Sequence, residues 1–103
     1  MGRLDGARVT GTTASISGWV FDPDVPTAPV SVHVYVDRVV RSGVRANAPR
    51  SDVGRAYPTA GPNHGYIWSG TLTAGTHQIC AFAINQGGGT GNPLLGCAPV
   101  TVP

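Results

Sequence analysis

The chain contains neither lysine nor glutamate: its seven basic residues are all arginine and its five acidic residues are all aspartate. Lysine and glutamate are common on exposed helix surfaces and depleted in strands, so the usual residues for building helices are missing. Charged residues make up 12% of the sequence, and the net charge is +2. This charge is too small for electrostatic capture of nucleic acids or membranes. We therefore expect no nucleic-acid partner.

Long apolar runs are also missing. No run reaches the roughly 18 residues of a membrane-spanning helix, so no membrane insertion is expected. Met1-Gly2-Arg3 leads directly into strand-like sequence, without the charged start and apolar centre of a signal peptide. The chain is therefore expected to be either a cytoplasmic protein or a piece excised from a larger secreted one.

The composition indicates one folded domain with little helix. The 103 residues are about one domain's worth of chain, and 41% of them are hydrophobic, which argues against a disordered segment. Glycine occurs 15 times and proline nine times, too often for long helices. We expect Met1–Pro103 to form a single module of short strands joined by turns.

Strict alternation of apolar and polar residues identifies the strands. Residues 30–37 have valine at every even position. Residues 14–21 place Ile16 and Val20 on one face and Trp19 on the other. Four further strands and one weaker edge strand are predicted over residues 64–72, 78–84, 38–46, 99–102 and 7–10.

Only residues 49–57 predict a helical turn, capped by Ser51 or Asp52 and ended by Pro58. Proline and glycine predict loops over residues 22–29 and 85–93. Six or seven short strands in such a chain predict an all-β fold, an antiparallel two-sheet β-sandwich of immunoglobulin-like design with one short helical turn.

The two cysteines, Cys80 and Cys97, lie on apolar runs whose separation suits neighbouring strands of one long-looped hairpin. A disulfide between them would stabilise the fold by roughly 3 kcal/mol and would imply an oxidising compartment. The alternative is a pair of buried free thiols acting as small hydrophobic residues. The disulfide is the preferred interpretation, because small helix-poor domains are commonly stabilised in this way.

Several motifs together resemble a β-sandwich module of secreted bacterial proteins. The motifs are Gly18-Trp19, Asp22-Pro23-Asp24, Val32-His33-Val34-Tyr35-Val36-Asp37, Arg50-Ser51-Asp52-Val53, His64-Gly65-Tyr66, Gly75-Thr76-His77, Ala83-Ile84-Asn85 and Asn92-Pro93-Leu94-Leu95-Gly96. With its two cysteines, the chain resembles the versions of this module found in actinobacterial cell-envelope proteins, cell-wall hydrolases and phage proteins. The resemblance implies an extracellular accessory role beside a separate catalytic domain.

One turn departs from the pattern of that family. The family usually has Asp-Gly at a hairpin turn where this chain has Asp37-Arg38. A sharp type I′ turn needs positive φ at both central residues, so arginine makes a longer or bulged connection the expectation.

No arrangement of residues predicts catalysis or a metal site. His33, His64 and His77 are scattered over different strands without a zinc-binding spacing, and no Ser-His-Asp set is singled out. His64 and His77 are interpreted as hydrogen-bonding residues that stabilise turns. Asp22, Asp24 and Asp37 could surround calcium, but Asp22 and Asp24 are better explained as caps of turns. We expect no enzyme activity, no metal and no cofactor, and Gly87-Gly88-Gly89-Thr90-Gly91 is interpreted as a loop without phosphate-binding character.

The aromatic residues are the best candidates for a binding site. Trp19, His33 and Tyr35 lie on faces opposite the buried rows and are predicted to form one outward platform, with Tyr57 on a nearby loop. Sugar rings stack on such platforms. In the alternative, residues 49–62 fold back and cover this face through Tyr57.

These observations predict a non-catalytic module, secreted or at the cell surface, that binds cell-wall polysaccharide or peptidoglycan and targets an attached catalytic or envelope domain. The alternative is a structural spacer or a protein–protein interaction domain that uses its sheet edges or loops.

Overall fold

The alternating segments form strands in two antiparallel sheets, seen in a computed structural model that describes residues 1–84 and 93–103. The strands and the one short helix of these residues are, in chain order, β1 (Gly2–Thr10), β2 (Thr13–Val20), β3 (Val30–Val36), β4 (Val39–Ala46), β5 (Ala48–Pro49), α1 (Ser51–Ala56), β6 (Asn63–Thr71), β7 (Gly75–Ala83) and β8 (Leu94–Val102). The expected loop over residues 85–93 falls almost entirely outside the described residues.

The strand order is that of an immunoglobulin-like sandwich. The first sheet has the order β1-β2-β6-β5 and the second the order β4-β3-β7-β8. These orders correspond to the A-B-E-D and C′-C-F-G sheets of the immunoglobulin fold. The prediction of an all-β, two-sheet antiparallel sandwich is confirmed.

The core lies between the sheets and is built from the inward rows that alternation predicted. Val32 and Val34 of β3 have no exposed surface, and Ile16 of β2 and Ile79 of β7 are equally enclosed. The larger side chains of this core are Tyr66, Trp68 and Leu72. Burial of these rows fixes the strand register, because a shift of one residue would expose them to water.

The predicted disulfide is present and joins neighbouring strands of the second sheet. Cys80 of β7 lies directly opposite Cys97 of β8, with 4.1 Å between their Cα atoms. Antibody domains instead connect their two sheets with a disulfide. Here the bridge lies on the outer surface of one sheet, since Ile79 and Ala81 on either side of Cys80 point into the core.

The prediction of a longer or bulged connection at Asp37-Arg38 is wrong. β3 and β4 are joined by these two residues alone, with φ of 50° at Asp37 and 71° at Arg38, as a type I′ turn requires. The Asp37 carboxylate compensates for the missing glycine, because its Oδ1 accepts a hydrogen bond from the backbone N–H of Gln78 at 2.9 Å. The irregularity of the hairpin lies further inside, between Val34 and Tyr35.

The helix is present, but its predicted cap is wrong. α1 begins after Arg50, which occupies the N-cap position and makes no side-chain capping bond. Ser51 and Asp52 belong to the first turn, and the Asp52 carboxylate binds the Arg50 guanidinium at 3.0 and 2.8 Å. Arg50 also contacts Asp5 at 2.9 Å, so it connects the start of the helix to β1.

Within the described residues, no helix has the length and apolar character that crossing a membrane requires.

Candidate binding surface

The predicted site residues separate onto two sheets. Trp19 lies on β2 in the first sheet, whereas His33 and Tyr35 lie on β3 in the second. The two sets therefore point away from the core in opposite directions. The prediction that Trp19, His33 and Tyr35 form one platform is wrong, because alternation reports which face of a strand is outward but not which sheet the strand joins.

Trp19 is part of a packed aromatic cluster at one end of the first sheet. Its ring lies 6.0 Å from that of Phe21 and 5.4 Å from that of Tyr57, and the Phe21 and Tyr57 rings are 5.1 Å apart. Tyr57 follows α1 directly. The alternative expectation, in which residues 49–62 cover the aromatic face, therefore holds for Trp19.

His33, Tyr35 and Phe82 form what we call the aromatic platform, on the outer face of the second sheet. His33 pairs with Phe82 across β3 and β7, and Tyr35 pairs with Cys80. The Tyr35 and Phe82 rings meet edge to face with 5.3 Å between their centres. All three side chains are partly exposed. The platform lies beside a surface depression of about 490 Å³ lined by Tyr35, Arg38, Cys80, Phe82 and Ile84.

The platform has a rigid base and an apolar surround. Tyr35 and Phe82 stand on the two central strands of the sheet, and the disulfide joins β7 to the edge strand β8 next to them. Val40, opposite Tyr35, is 53% exposed, and Leu94, opposite Phe82, is 54% exposed. A flat ligand placed on the rings would therefore also contact aliphatic surface on both sides.

Three arginines lie on the β3–β4 hairpin beside the platform. The β3–β4 hairpin carries Arg38 at its turn, with Arg41 and Arg45 on β4. Arg45 pairs with Ser31 on the outer face, whereas the Arg41 guanidinium donates a hydrogen bond to the Thr71 carbonyl of β6 at 3.2 Å. The carboxylate of the same hairpin, Asp37, is bound by the His77 ring and the Gln78 N–H. Arg38 and Arg45 therefore supply positive charge on the same face as the platform.

Asp37, His77 and Thr73 form a hydrogen-bonded array at the end of the second sheet. The His77 ring donates from Nδ1 to Asp37 Oδ2 at 2.6 Å and from Nε2 to the Thr73 carbonyl at 2.8 Å. The bond to Asp37, followed by the Thr73 carbonyl, raises the pKa of His77 above its usual value. The Gln78 N–H, followed by His77, lowers the pKa of Asp37.

This array has the residue types of a nucleophilic triad but a different geometry. The Thr73 hydroxyl lies 3.3 Å from His77 Nε2, farther than the Thr73 carbonyl that already accepts the proton there. A histidine that donates from both nitrogens has no lone pair with which to activate a hydroxyl. The array instead connects the β3–β4 turn to the turn before β7, in agreement with the interpretation of His77 as a turn-stabilising residue.

His64 and Asp22 also stabilise turns, as expected. The buried His64 ring donates from Nε2 to the Ala60 carbonyl at 2.8 Å. Asp22 Oδ1 accepts the Asp24 N–H at 2.9 Å, and the Asp22 carbonyl accepts the Val25 N–H. Asp22 and Asp24 lie between β2 and β3, whereas Asp37 lies in the turn between β3 and β4. The three aspartates considered for calcium therefore do not belong to one loop.

The outer face of the first sheet differs from that of the second. Ser15 and Ser17 of β2 and Ser69 of β6 present small hydroxyl side chains there, and Ile67 is its large exposed apolar residue at 66% exposure. This face is largely polar. Of the aromatic residues predicted for a platform, Tyr35 therefore lies on the outer face of the second sheet together with His33, whereas Trp19 and Tyr57 pack on each other.

Sequence reasoning missed Phe82 and Arg38 as members of the candidate surface. Phe82 lies on a strand that is apolar on both faces, so alternation could not separate its outward residues from its core residues. Its position in phase with Cys80 was an available signal, because an exposed disulfide places Phe82 on the outer face as well. Arg38 lines the depression from the two-residue turn, which the sequence predicted to be longer or bulged.

Comparison with known proteins gives no family assignment. No protein-family model matches the chain, and no curated protein matches it significantly.

Proposed function

We propose that the protein is a non-catalytic binding module whose aromatic platform holds cell-wall polysaccharide or peptidoglycan and thereby targets an attached domain. The observation that carries this proposal is the edge-to-face pair of Tyr35 and Phe82, partly exposed beside a surface depression. The C–H faces of pyranose rings pack on aromatic side chains, and neighbouring polar groups bind the hydroxyls. The Tyr35 hydroxyl, the His33 ring and the Arg38 guanidinium supply such groups.

The proposal also places the protein outside the cell or at its surface. A disulfide persists in oxidising compartments and is rare in the cytoplasm. The Cys80–Cys97 bridge supports this location, and the resemblance to modules of secreted cell-envelope proteins agrees with it.

Binding to one site should be weak, because the platform is shallow. One or two stacked rings on an open surface correspond to dissociation constants between micromolar and millimolar, or about 4 to 8 kcal/mol. A polymer with repeated units compensates for this weakness where several modules are linked to one another, because the link makes the second binding event intramolecular.

A sedimentation assay with insoluble cell-wall material tests the proposal. The purified protein should sediment with the material without releasing soluble fragments from it, and Tyr35→Ala should remain in the supernatant while keeping its circular dichroism spectrum and melting temperature. Tyr35 lies on the outer face, so its loss leaves the core intact.

Ile67→Ala is the matched control, because Ile67 is an exposed apolar residue on the opposite sheet. It should sediment like the wild type. A wild-type protein that stays in the supernatant at every salt concentration, or a Tyr35→Ala variant that still sediments, contradicts polysaccharide binding at this platform.

A protein partner is the second candidate, and the exposed valines of β4 favour it. Val40, opposite Tyr35, is 53% exposed and continues the apolar surface of the rings to the sheet edge. Val39, next to the turn, is 62% exposed. An edge strand can also pair with a strand of another protein. In this case Val40→Asp should prevent association with the attached or neighbouring domain, measured by analytical ultracentrifugation, while polysaccharide sedimentation is absent.

A further inference from the structure

The charged residues around the aromatic platform indicate what kind of polysaccharide it selects. Arg38 lines the depression next to Tyr35, and Arg45 lies on the same outer face opposite Ser31. The aspartate next to Arg38, Asp37, binds the His77 ring and the Gln78 N–H with its carboxylate. Asp5 and Asp52 bind Arg50, and Asp22 caps its turn. The platform therefore carries positive charge that these carboxylates do not neutralise.

The two arginines lie near opposite ends of the platform. Arg45 is beside Ser31 at the start of β3, and Arg38 follows Val36 at its end. Five residue steps along a strand separate Ser31 from Val36, or about 17 Å. His33 and Tyr35 lie between these ends. A linear ligand that follows β3 would contact an arginine, the rings and a second arginine in turn.

We propose that the platform selects an anionic polysaccharide, a polymer of sugar rings with carboxylate or phosphate groups that Arg38 and Arg45 bind while the rings pack on Tyr35 and Phe82. This inference rests on the proposed function and narrows its ligand class. Arginine suits both anions, because its planar guanidinium donates two parallel hydrogen bonds to a carboxylate or a phosphate.

The spacing of the charges favours a polysaccharide over other polyanions. A single-stranded nucleic acid carries a charge on every nucleotide, and its binding proteins follow the backbone with a continuous basic groove. Two arginines separated by rings instead match a polymer that is charged at only some of its units. A membrane surface contributes about 1 kcal/mol for each basic residue, which is too little for stable binding by two arginines.

Affinity electrophoresis of the purified protein against matched polymers tests the inference. Polygalacturonate and its methyl ester differ only in the carboxylate charge, and dextran phosphate and dextran differ only in the phosphate. We expect the charged member of at least one pair to bind about tenfold more tightly than its neutral partner, and the pair that shows this difference identifies the anion. Added salt should reduce the difference, because exposed ion pairs are screened.

Substitutions of Arg38 and Arg45 test whether the preference for charged polymers comes from the outer face of the second sheet. Arg38→Gln and Arg45→Gln should each weaken binding of the charged polymer by about two- to fivefold, the range of an exposed ion pair, and leave binding of the neutral polymer unchanged. Arg8→Gln is the control, because it removes the same charge from an exposed position on the first sheet. It should leave both polymers unaffected.

The outcomes separate this inference from the proposed function. If charged and neutral polymers bind equally well and Tyr35→Ala abolishes the binding of both, the anion selectivity is overturned. The proposed binding of polysaccharide then remains. Failure of every polysaccharide to bind overturns both. Binding of inorganic polyphosphate, an oligonucleotide or anionic vesicles as tightly as the charged polysaccharide shows that charge alone acts, and overturns the selectivity.

Discussion

Two neighbouring residues of β6, Ile67 and Trp68, show how one step along a strand changes the role of a side chain. Trp68 is 5% exposed and packs in the core opposite Ile16, whereas Ile67 points outward and is 66% exposed. Deleting a buried aromatic side chain removes its transfer free energy and leaves a cavity. Trp68 therefore stabilises the fold, although exposed tryptophans are common in binding sites.

We expect Trp68→Ala to lower the free energy of unfolding by about 3 to 5 kcal/mol. Ile67→Ala, one residue away, should change it by no more than about 0.5 kcal/mol, as is usual for surface positions. Denaturant unfolding followed by circular dichroism measures both values. Equal effects of the two substitutions would contradict the register of β6.

The sequence was sufficient to identify inward and outward residues but not to group the outward ones. The valines of β3 are buried as alternation predicted, and Tyr66 and Trp68, two residues apart on β6, are buried as well. Trp19 and Tyr35 obey the same rule, yet they lie on opposite sides of the sandwich, because the pairing of distant strands decides the sheet. The need for glycine at position 18 could not be predicted from the sequence either. The Tyr66 hydroxyl crosses over Gly18 to donate a hydrogen bond to the Arg3 carbonyl, so a Cβ at position 18 would clash with it.

At the scale of elements, the β3–β4 turn depends on two residues of β7, which is distant in the sequence: a backbone N–H of Gln78 and the side chain of His77. Asp37 adopts a positive φ, which aspartate tolerates better than most residues, and its carboxylate is held by Gln78 and His77 of β7. Local rules predicted a longer connection because the distant partners were not visible in the sequence. The same contacts position Arg38, and with it one end of the depression.

The stability of the fold should depend on pH through His77 and Asp37. The fold raises the pKa of His77. The stability that His77 contributes is therefore fully present at pH values below the usual histidine pKa of about 6.5, and it is lost as the pH rises through the raised pKa. The fold lowers the pKa of Asp37. The stability that Asp37 contributes is therefore fully present at pH values above the usual aspartate pKa of about 3.9, and it is lost as the pH falls through the lowered pKa. Arg41 opposes the charge on His77 without reversing the direction.

Melting temperatures of the wild type and of Asp37→Asn across the pH range test this dependence. Asparagine also tolerates a positive φ, so the variant keeps the turn and removes the charge. The wild type should be more stable than the variant from mildly acidic to neutral pH, and the difference should shrink as His77 loses its proton. A difference that stays constant with pH would show that the Asp37–His77 pair does not titrate as described.

At the scale of the whole molecule, the two sheets have different outer faces around a shared core. The first sheet presents serines and Arg8 and covers its aromatic cluster with the segment around α1. The second sheet presents the aromatic platform with Arg38 and Arg45 on the same face. Composition alone gave a small net charge and argued against capture by charge. The fold places Arg38 and Arg45 on the same outer face as the aromatic platform, an arrangement that net charge cannot reveal.

The disulfide contributes to the stability of the whole sandwich, because it closes a loop between two strands of the second sheet. The bridged residues are 17 positions apart, and closing a loop of this size stabilises the folded state by roughly 3 kcal/mol in the chain-entropy model. Reduction should therefore lower the free energy of unfolding by a few kcal/mol, a large share of what a domain of this size has. Denaturant unfolding with and without reductant measures this change. Protein recovered from its native compartment without reductant should show no reactive thiol even when unfolded, whereas two titrating thiols would contradict the extracellular location.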